Sequence, residues 1–206
     1  MRTAKSVESA FERSKRIIRE RGGLIRTAEA IKAGVHPRTL YALRDAGVLE
    51  QISRGVYRLA AQTPMSNPDL VTVAVRFPKA VVCLVSALAY HGITTQIPHS
   101  VSIAIDKGSE SPRIEYPPVS VYRFSGESLS AGVEEHMIDG ATVRIYNTEK
   151  TLADCFKFRN RIGMEIVLEA LKLYKTRKRP NIDKLMEYAR ICRVEKVMRP
   201  YLEATV

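Results

Sequence analysis

From residue 6 to residue 21 the apolar positions recur with a helical period. Val7, Phe11, Ser14 and Ile18 fall on one face, and Arg13, Lys15, Arg16, Arg19 and Arg21 surround it. Gly22-Gly23 breaks this pattern. Thr27 is the expected N-cap of a short helix over 28–33, and Gly34 supplies its left-handed stop. His36-Pro37 opens a third helix running to residue 46, with proline where its missing N–H leaves no helical bond unmade. At 100° per residue, Leu40 and Leu43 point toward a core, whereas Arg38, Tyr41, Ala42 and Asp45 lie roughly opposite. After Gly47, the segments 48–53 and 56–59 alternate on either side of Arg54-Gly55 as the two arms of a β-hairpin.

Residues 60–68, AAQTPMSNP, hold two prolines and small polar residues, which predicts a domain boundary near residue 64. The expected domains are therefore 1–63 and 66–206. Beyond the boundary, 69–76 and 81–90 read as helical or apolar-core segments. VSIAID, VSVYRF and ATVRIYN follow as strand-like runs rich in β-branched and aromatic residues. Thr148 is the expected cap of a helix through Phe158. Further helices are expected over 164–174, 183–192 and 195–202. The fold class read from this order is α+β: an N-terminal winged helix-turn-helix followed by a mixed α+β domain.

Charge sharpens this reading. The chain of 206 residues carries a formal net charge of +11, and residues 1–60 alone hold 13 Lys and Arg against 6 Asp and Glu. A surplus of that kind attracts a phosphate backbone and releases its counterions, although charge runs are also common on solvated faces. No apolar stretch reaches the length of a membrane span and the N-terminus lacks the apolar core of a secretory signal, so the expected compartment is the cytoplasm. Cys83, Cys155 and Cys192 are scattered without CxxC spacing and read as buried, reduced thiols. No cofactor or metal is expected.

Helix, short helix, glycine turn, helix and hairpin is the order in which a supporting helix precedes one that enters the major groove. The candidate DNA-contacting residues are His36, Arg38, Thr39, Tyr41, Arg44 and Arg54. Arg38 is placed to reach guanine or phosphate, His36 and Thr39 to bond phosphate, and Arg54 at the wing tip to enter a minor groove. In the second domain Asp154, Lys157, Arg159, Asn160 and Arg161 form a polar band around Phe156 and Phe158. Both a partner surface and a set of internal salt bridges fit that band. Lys172, Lys175, Arg177, Lys178 and Arg179 form a positive run before Pro180, fitting either a solvated linker or a contact with DNA or an acidic partner.

Two stretches resemble the AbiE-type antitoxin family, the regulators of bicistronic type IV toxin–antitoxin systems that act in phage abortive infection. One is GGLIRTAEAIKAGVHPRTLYALRDAGVLEQISRGVYRL, residues 22–59. The other combines SALAYHGIT, residues 86–94, with GATVRIYNTEKTLADCFKFRNRIGMEIVLEALKLY, residues 140–174. The resemblance implies autorepression through the N-terminal domain, and the basic winged helix itself predicts binding to the protein's own promoter at inverted repeats occupied by two copies. It further implies neutralisation of a nucleotidyltransferase-like toxin through the C-terminal one, directly or functionally. Lys157, Arg159, Arg161, Lys172, Lys175, Arg177, Lys178 and Arg179 are the candidate antitoxin surface. A transcriptional regulator without a toxin partner is the alternative.

An enzymatic reading finds little support in the residues. A nuclease using Asp106 as metal ligand would be expected to carry D/E-x-K, yet no Asp or Glu here is followed two positions later by Lys. His36, His91, His99 and His136 form no metal-binding spacing, and His91 and His99 read as structural. Gly108-Ser109 lacks the acidic pair of a nucleotidyltransferase, and no glycine-rich phosphate loop occurs. A nucleoid-associated structural protein would share the charge but would have no use for so elaborate a second domain.

Overall fold

A computed structural model describes residues 9–204, so the start of the expected first helix, including Val7, lies outside the described residues. The chain divides into two compact units, one holding the chain through Arg76 together with Met137–Thr142, the other Phe77–His136 and Val143–Val206. The break thus falls at Arg76–Phe77 and not near residue 64. The reason is a helix that the proline-bearing segment starts rather than precedes: Leu70, Val71 and Val73 of that helix are buried. The turn that leads into it is held by Asp139, whose carboxylate accepts from the backbone N–H groups of Ser66 at 2.8 Å and Asn67 at 3.1 Å.

The first unit begins with α1 (Ala10–Glu20), capped by Ser9, whose Oγ accepts from the Glu12 N–H at 3.2 Å. Its buried face is Ser14, Ile17 and Ile18, whereas Phe11, expected on that face, is exposed. A short strand that the apolar pattern does not announce, β1 (Leu24–Arg26), follows the glycine pair. Then come α2 (Thr27–Lys32), α3 (Pro37–Asp45), β2 (Leu49–Ser53), β3 (Val56–Leu59) and α4 (Pro68–Arg76). The three strands form an antiparallel sheet in the order β1-β3-β2, with a bulge between Gln51 and Ser53. The element order is helix, strand, helix, helix and two-stranded ribbon, which adds β1 to the order expected for a winged helix-turn-helix. Ile18, Ile25, Ala30, Val35, Leu40, Leu43, Leu49 and Tyr57 form its core. Burial of side chains the size of Leu40 and Leu43 contributes roughly 1.5–3 kcal/mol each, which fixes which face of α3 looks outward.

Thr27 does not cap α2 but is its first residue. Its N–H and Oγ–H both donate to the carbonyl of Gly55, at 2.9 and 3.3 Å, and so tie the hairpin tip to the start of α2. Gly55 has φ +74°, a conformation that a side chain would strain. Arg58, which the sequence reading passed over, is buried on β3, where it pairs with Glu50 at 2.8 Å and donates to the Thr63 carbonyl.

The second unit is built on most of a five-stranded sheet in the order β6-β5-β4-β8-β7, of which only the β7–β8 turn and the strand ends beside it are counted with the first unit. Its elements are β4 (Val81–Val82), α5 (Leu84–Tyr90), β5 (Val101–Asp106), β6 (Val119–Phe124), α6 (Glu127–Ser130), β7 (Val133–Ile138) and β8 (Ala141–Tyr146). Five helices follow: α7 (Thr148–Lys157), α8 (Arg159–Ile162), α9 (Met164–Lys175), α10 (Ile182–Ile191) and α11 (Glu195–Ala204). β5 and β6 are parallel, as are β4 and β8, while β4 and β5 run antiparallel. Leu88, Tyr146, Leu152, Phe156, Leu171, Leu185 and Met198 belong to one continuous core. Asn147, not Thr148, caps α7, its Oδ1 accepting from the Lys150 N–H at 2.9 Å, and its amide donates to the Tyr188 hydroxyl at 3.0 Å. All three cysteines are unpaired and buried. Among the described residues no helix is long and apolar enough to cross a membrane.

α7 also carries a fully buried ion pair. Lys150 Nζ lies 2.6 Å from Asp154 Oδ2 and 4.0 Å from the centre of the Tyr146 ring, and both charged side chains have no exposed surface. Of the two readings open for the band that includes Asp154, a partner surface or internal salt bridges, Asp154 takes the second, and its other oxygen accepts from Cys192 Sγ at 3.1 Å. Gly132 makes room for this arrangement: at φ +71° a Cβ placed on it would sit 2.6 Å from Lys150 Cβ. His91 has the structural role expected, its Nε2–H donating to the Tyr146 carbonyl at 2.7 Å, and burial lowers its pKa from the usual histidine value. His99, read as structural alongside it, is instead exposed.

Candidate nucleic-acid interface

α3 owes its position to both of its ends. His36 is the N-cap, with Nδ1 accepting from the Arg38 N–H at 3.2 Å, which assigns the ring nitrogen a structural bond rather than leaving it for a ligand. At the other end Gly47 N–H donates to the Arg44 carbonyl and Val48 N–H to the Leu43 carbonyl, both at 2.9 Å, closing the helix with glycine in the left-handed region. Burial of Leu40 and Leu43 between these ends turns Arg38, Tyr41 and Asp45 to solvent, with Thr39, Ala42 and Arg44 half-buried beside them.

The cations on this face differ in what already holds them. Arg44 is bound by Asp45, with guanidinium nitrogens 2.9 and 2.7 Å from Oδ1, and lies 5.3 Å from the centre of the Tyr41 ring. Its charge is largely compensated within the helix. Arg38 and Arg54 are exposed, and their side chains have no hydrogen bond or ion pair among the described residues. The Arg54 backbone is nonetheless fixed: its carbonyl accepts from Arg76 at 3.4 Å, and the next carbonyl, of Gly55, accepts from Thr27. A rigid backbone carrying an uncompensated guanidinium suits contact with an anionic surface.

Residues 12–60, the segment just described, match a family model described as "Transcriptional regulator, AbiEi antitoxin". The matched segment runs from within α1 to the end of β3 and includes every candidate DNA-contacting residue, from His36 to Arg54. Over a wider span, the chain shares its fold with a solved structure, "Crystal structure of RV2827C protein from Mycobacterium tuberculosis". The two agree with a TM-score of 0.56 at 13% identity, over 85% of this chain and 69% of that one. No curated protein matches this chain.

The basic residues of the second unit do not form one uniform patch. Lys157 Nζ lies 5.3 and 5.9 Å from the Phe124 and Phe158 ring centres, and the Arg161 guanidinium lies 4.1 Å from that of Tyr122. Arg159 donates to the Phe156 carbonyl at 2.9 Å and Lys175 to the Leu202 carbonyl at 3.1 Å, while Arg177 donates to the carbonyl of His91. These five therefore serve the unit's own packing. Lys172, Lys178 and Arg179 are exposed and have no side-chain partner among the described residues. They lie at the end of α9 and in the turn after it, and the run of basic residues before a proline is the only signal the sequence carried for them.

Proposed function

We propose that the protein is a DNA-binding regulator of the antitoxin type, which recognises its own promoter through α3 and the β2–β3 ribbon. The observation that carries this reading is the pair of uncompensated guanidinium groups, Arg38 on α3 and Arg54 at the ribbon tip, within the AbiEi segment. On this reading α3 enters a major groove, where Arg38 meets guanine or phosphate and Tyr41 packs against bases or sugar. The ribbon tip follows the backbone into the adjoining minor groove. Arg44 acts mainly by holding Tyr41 in place.

Mobility shifts on the protein's own upstream DNA test this at a fixed, near-physiological salt. The promoter fragment is expected to bind about 10³-fold or more tightly than random DNA of the same length, the usual gap for a specific regulator. Equal affinity for the two would sink the reading.

The second unit, on the same proposal, neutralises a nucleotidyltransferase-like toxin, with Lys172, Lys178 and Arg179 as its steering charges. Their support is that no partner among the described residues holds them. Reversing all three to Glu in the full-length chain should abolish protection of cells that express the toxin, while promoter binding stays within about 3-fold of wild type. Full protection by the triple variant would leave a regulator without this toxin-facing surface.

A further inference from the structure

A cleft of about 360 Å³ opens in the first unit on the side of α3 where its C-terminus is capped. Its walls are apolar, from Val48, Leu59 and Ala61, while Lys15 and Arg19 of α1 stand at one side and Gln62 closes the other. Lys15 and Arg19 are four residues apart on one helix, hence on one face. They are not equivalent: Lys15 Nζ is 3.1 Å from Glu12, whereas the exposed Arg19 guanidinium has no partner among the described residues. Gln62 is anchored, its amide donating to the Gly22 carbonyl at 2.9 Å, so that wall is preformed.

This volume falls at the lower end of small-molecule sites, which combine apolar walls with a few polar groups that fix orientation. We propose that the cleft binds a small organic monocarboxylate with an apolar body, its carboxylate held by Arg19 with Lys15 in support. A planar guanidinium takes a carboxylate in a two-point bond, and the apolar body then covers Val48 and Leu59. Inorganic phosphate satisfies the cations but leaves those walls uncovered. An uncharged analogue does the reverse.

The cleft also touches what orients α3. Val48 donates to the Leu43 carbonyl at the end of that helix and accepts from the Ala60 N–H at 3.0 Å, joining the helix cap to the root of the ribbon. A ligand against Val48 therefore bears on both DNA-facing elements, and its occupancy changes promoter affinity. This last step rests on the DNA-binding reading above; the site itself does not.

Calorimetric titration of the full-length protein with benzoate, phenylacetate and 4-methylpentanoate tests the site, with benzyl alcohol and inorganic phosphate as comparisons. At least one carboxylate should bind saturably below roughly 10 mM, at least about 10-fold more tightly than either comparison. Arg19→Gln should weaken that binding about 10-fold or more, and Ala61→Leu, which fills the cleft from an exposed position, should remove it without lowering the melting temperature. Absence of saturable binding by all three acids overturns the site, as does binding that neither variant alters or phosphate binding of equal strength. Mobility shifts with and without the bound acid then separate the two layers. Unchanged promoter affinity overturns the coupling alone, and failure to bind the promoter at all overturns the DNA-binding reading while the carboxylate isotherm stands.

Discussion

Replacing Asp154 alone by Ala should destabilise the protein by about 3–5 kcal/mol, the usual consequence of leaving one member of a buried ion pair without its partner. Lys150 would then hold a positive charge with no exposed surface, facing only the Tyr146 and Phe124 rings. Lys150→Met alone should cost a similar amount, because Asp154 would keep only the Cys192 thiol as a donor. The double variant, Lys150→Met with Asp154→Ala, should return to within about 2 kcal/mol of wild type, because removing both charges also removes the desolvation that each suffers. Urea titrations of the four proteins measure this. Additive losses would mean that the two side chains act independently.

The pH dependence follows from the same geometry. Burial pushes the Asp154 carboxyl above the usual carboxylate range even with Lys150 beside it. For a carboxyl raised in the folded state, folding takes up a proton, so its contribution is full below the ordinary Asp value and is lost as pH rises through the raised one. The double variant lacks that loss. Its stability relative to wild type should improve as pH rises above the ordinary Asp value of about 3.9, and a difference that stays flat would show that Asp154 ionises as freely as an exposed carboxylate.

What could be read in the sequence followed from period and punctuation. α3 is legible because His36-Pro37 and Gly47 bracket it and because Leu40 and Leu43 are the only strongly apolar residues on a polar helix. The two arms of the hairpin are legible from the turn between them. β1 is not, since three residues between a glycine pair and Thr27 offer no period to detect. β7 fails for a different reason: Glu134, Glu135 and Met137 are exposed, so only Ile138 of the strand is fully buried and alternation is weak.

The domain boundary was misplaced because prolines mark where a chain turns, not where packing ends. Pro68 opens α4, whose apolar face belongs to the first unit. For Asp154 a salt bridge is one of the two readings the sequence leaves open, and its depth and partner are what the sequence does not show. The i,i+4 spacing of Lys150 and Asp154 was present in the sequence, but only the apolar neighbours Leu152, Ala153, Cys155 and Phe156 show that this stretch of α7 is buried on nearly every side. The same limit applies to the basic cluster between Lys157 and Arg179. Sequence counts its charges equally, whereas ring faces and carbonyl groups occupy five of the eight.

That distinction between compensated and uncompensated cations sets the largest functional effect expected. Arg38→Ala and Arg54→Ala should each weaken promoter binding by about 1–3 kcal/mol if base edges are read, and by less if only phosphates are touched. One residue lies on α3 and the other at the ribbon tip, with no partner in common, so their effects should add. The double variant should therefore bind some 30- to 10⁴-fold more weakly, from a sum of about 2–6 kcal/mol. Neither side chain is buried, so the melting temperature should hold. Arg44→Ala provides the internal comparison: Asp45 already compensates its charge, and the loss should be smaller than for Arg38→Ala. The salt slope distinguishes the two kinds of contact. A phosphate contact lowers it by about one unit when removed and weakens all sequences alike, whereas a base contact relaxes preference at one position of the operator. Wild-type affinity in the double variant would show that the protein meets DNA through another face, and an Arg44→Ala loss exceeding that of Arg38→Ala would show that the Asp45 pair opens on binding.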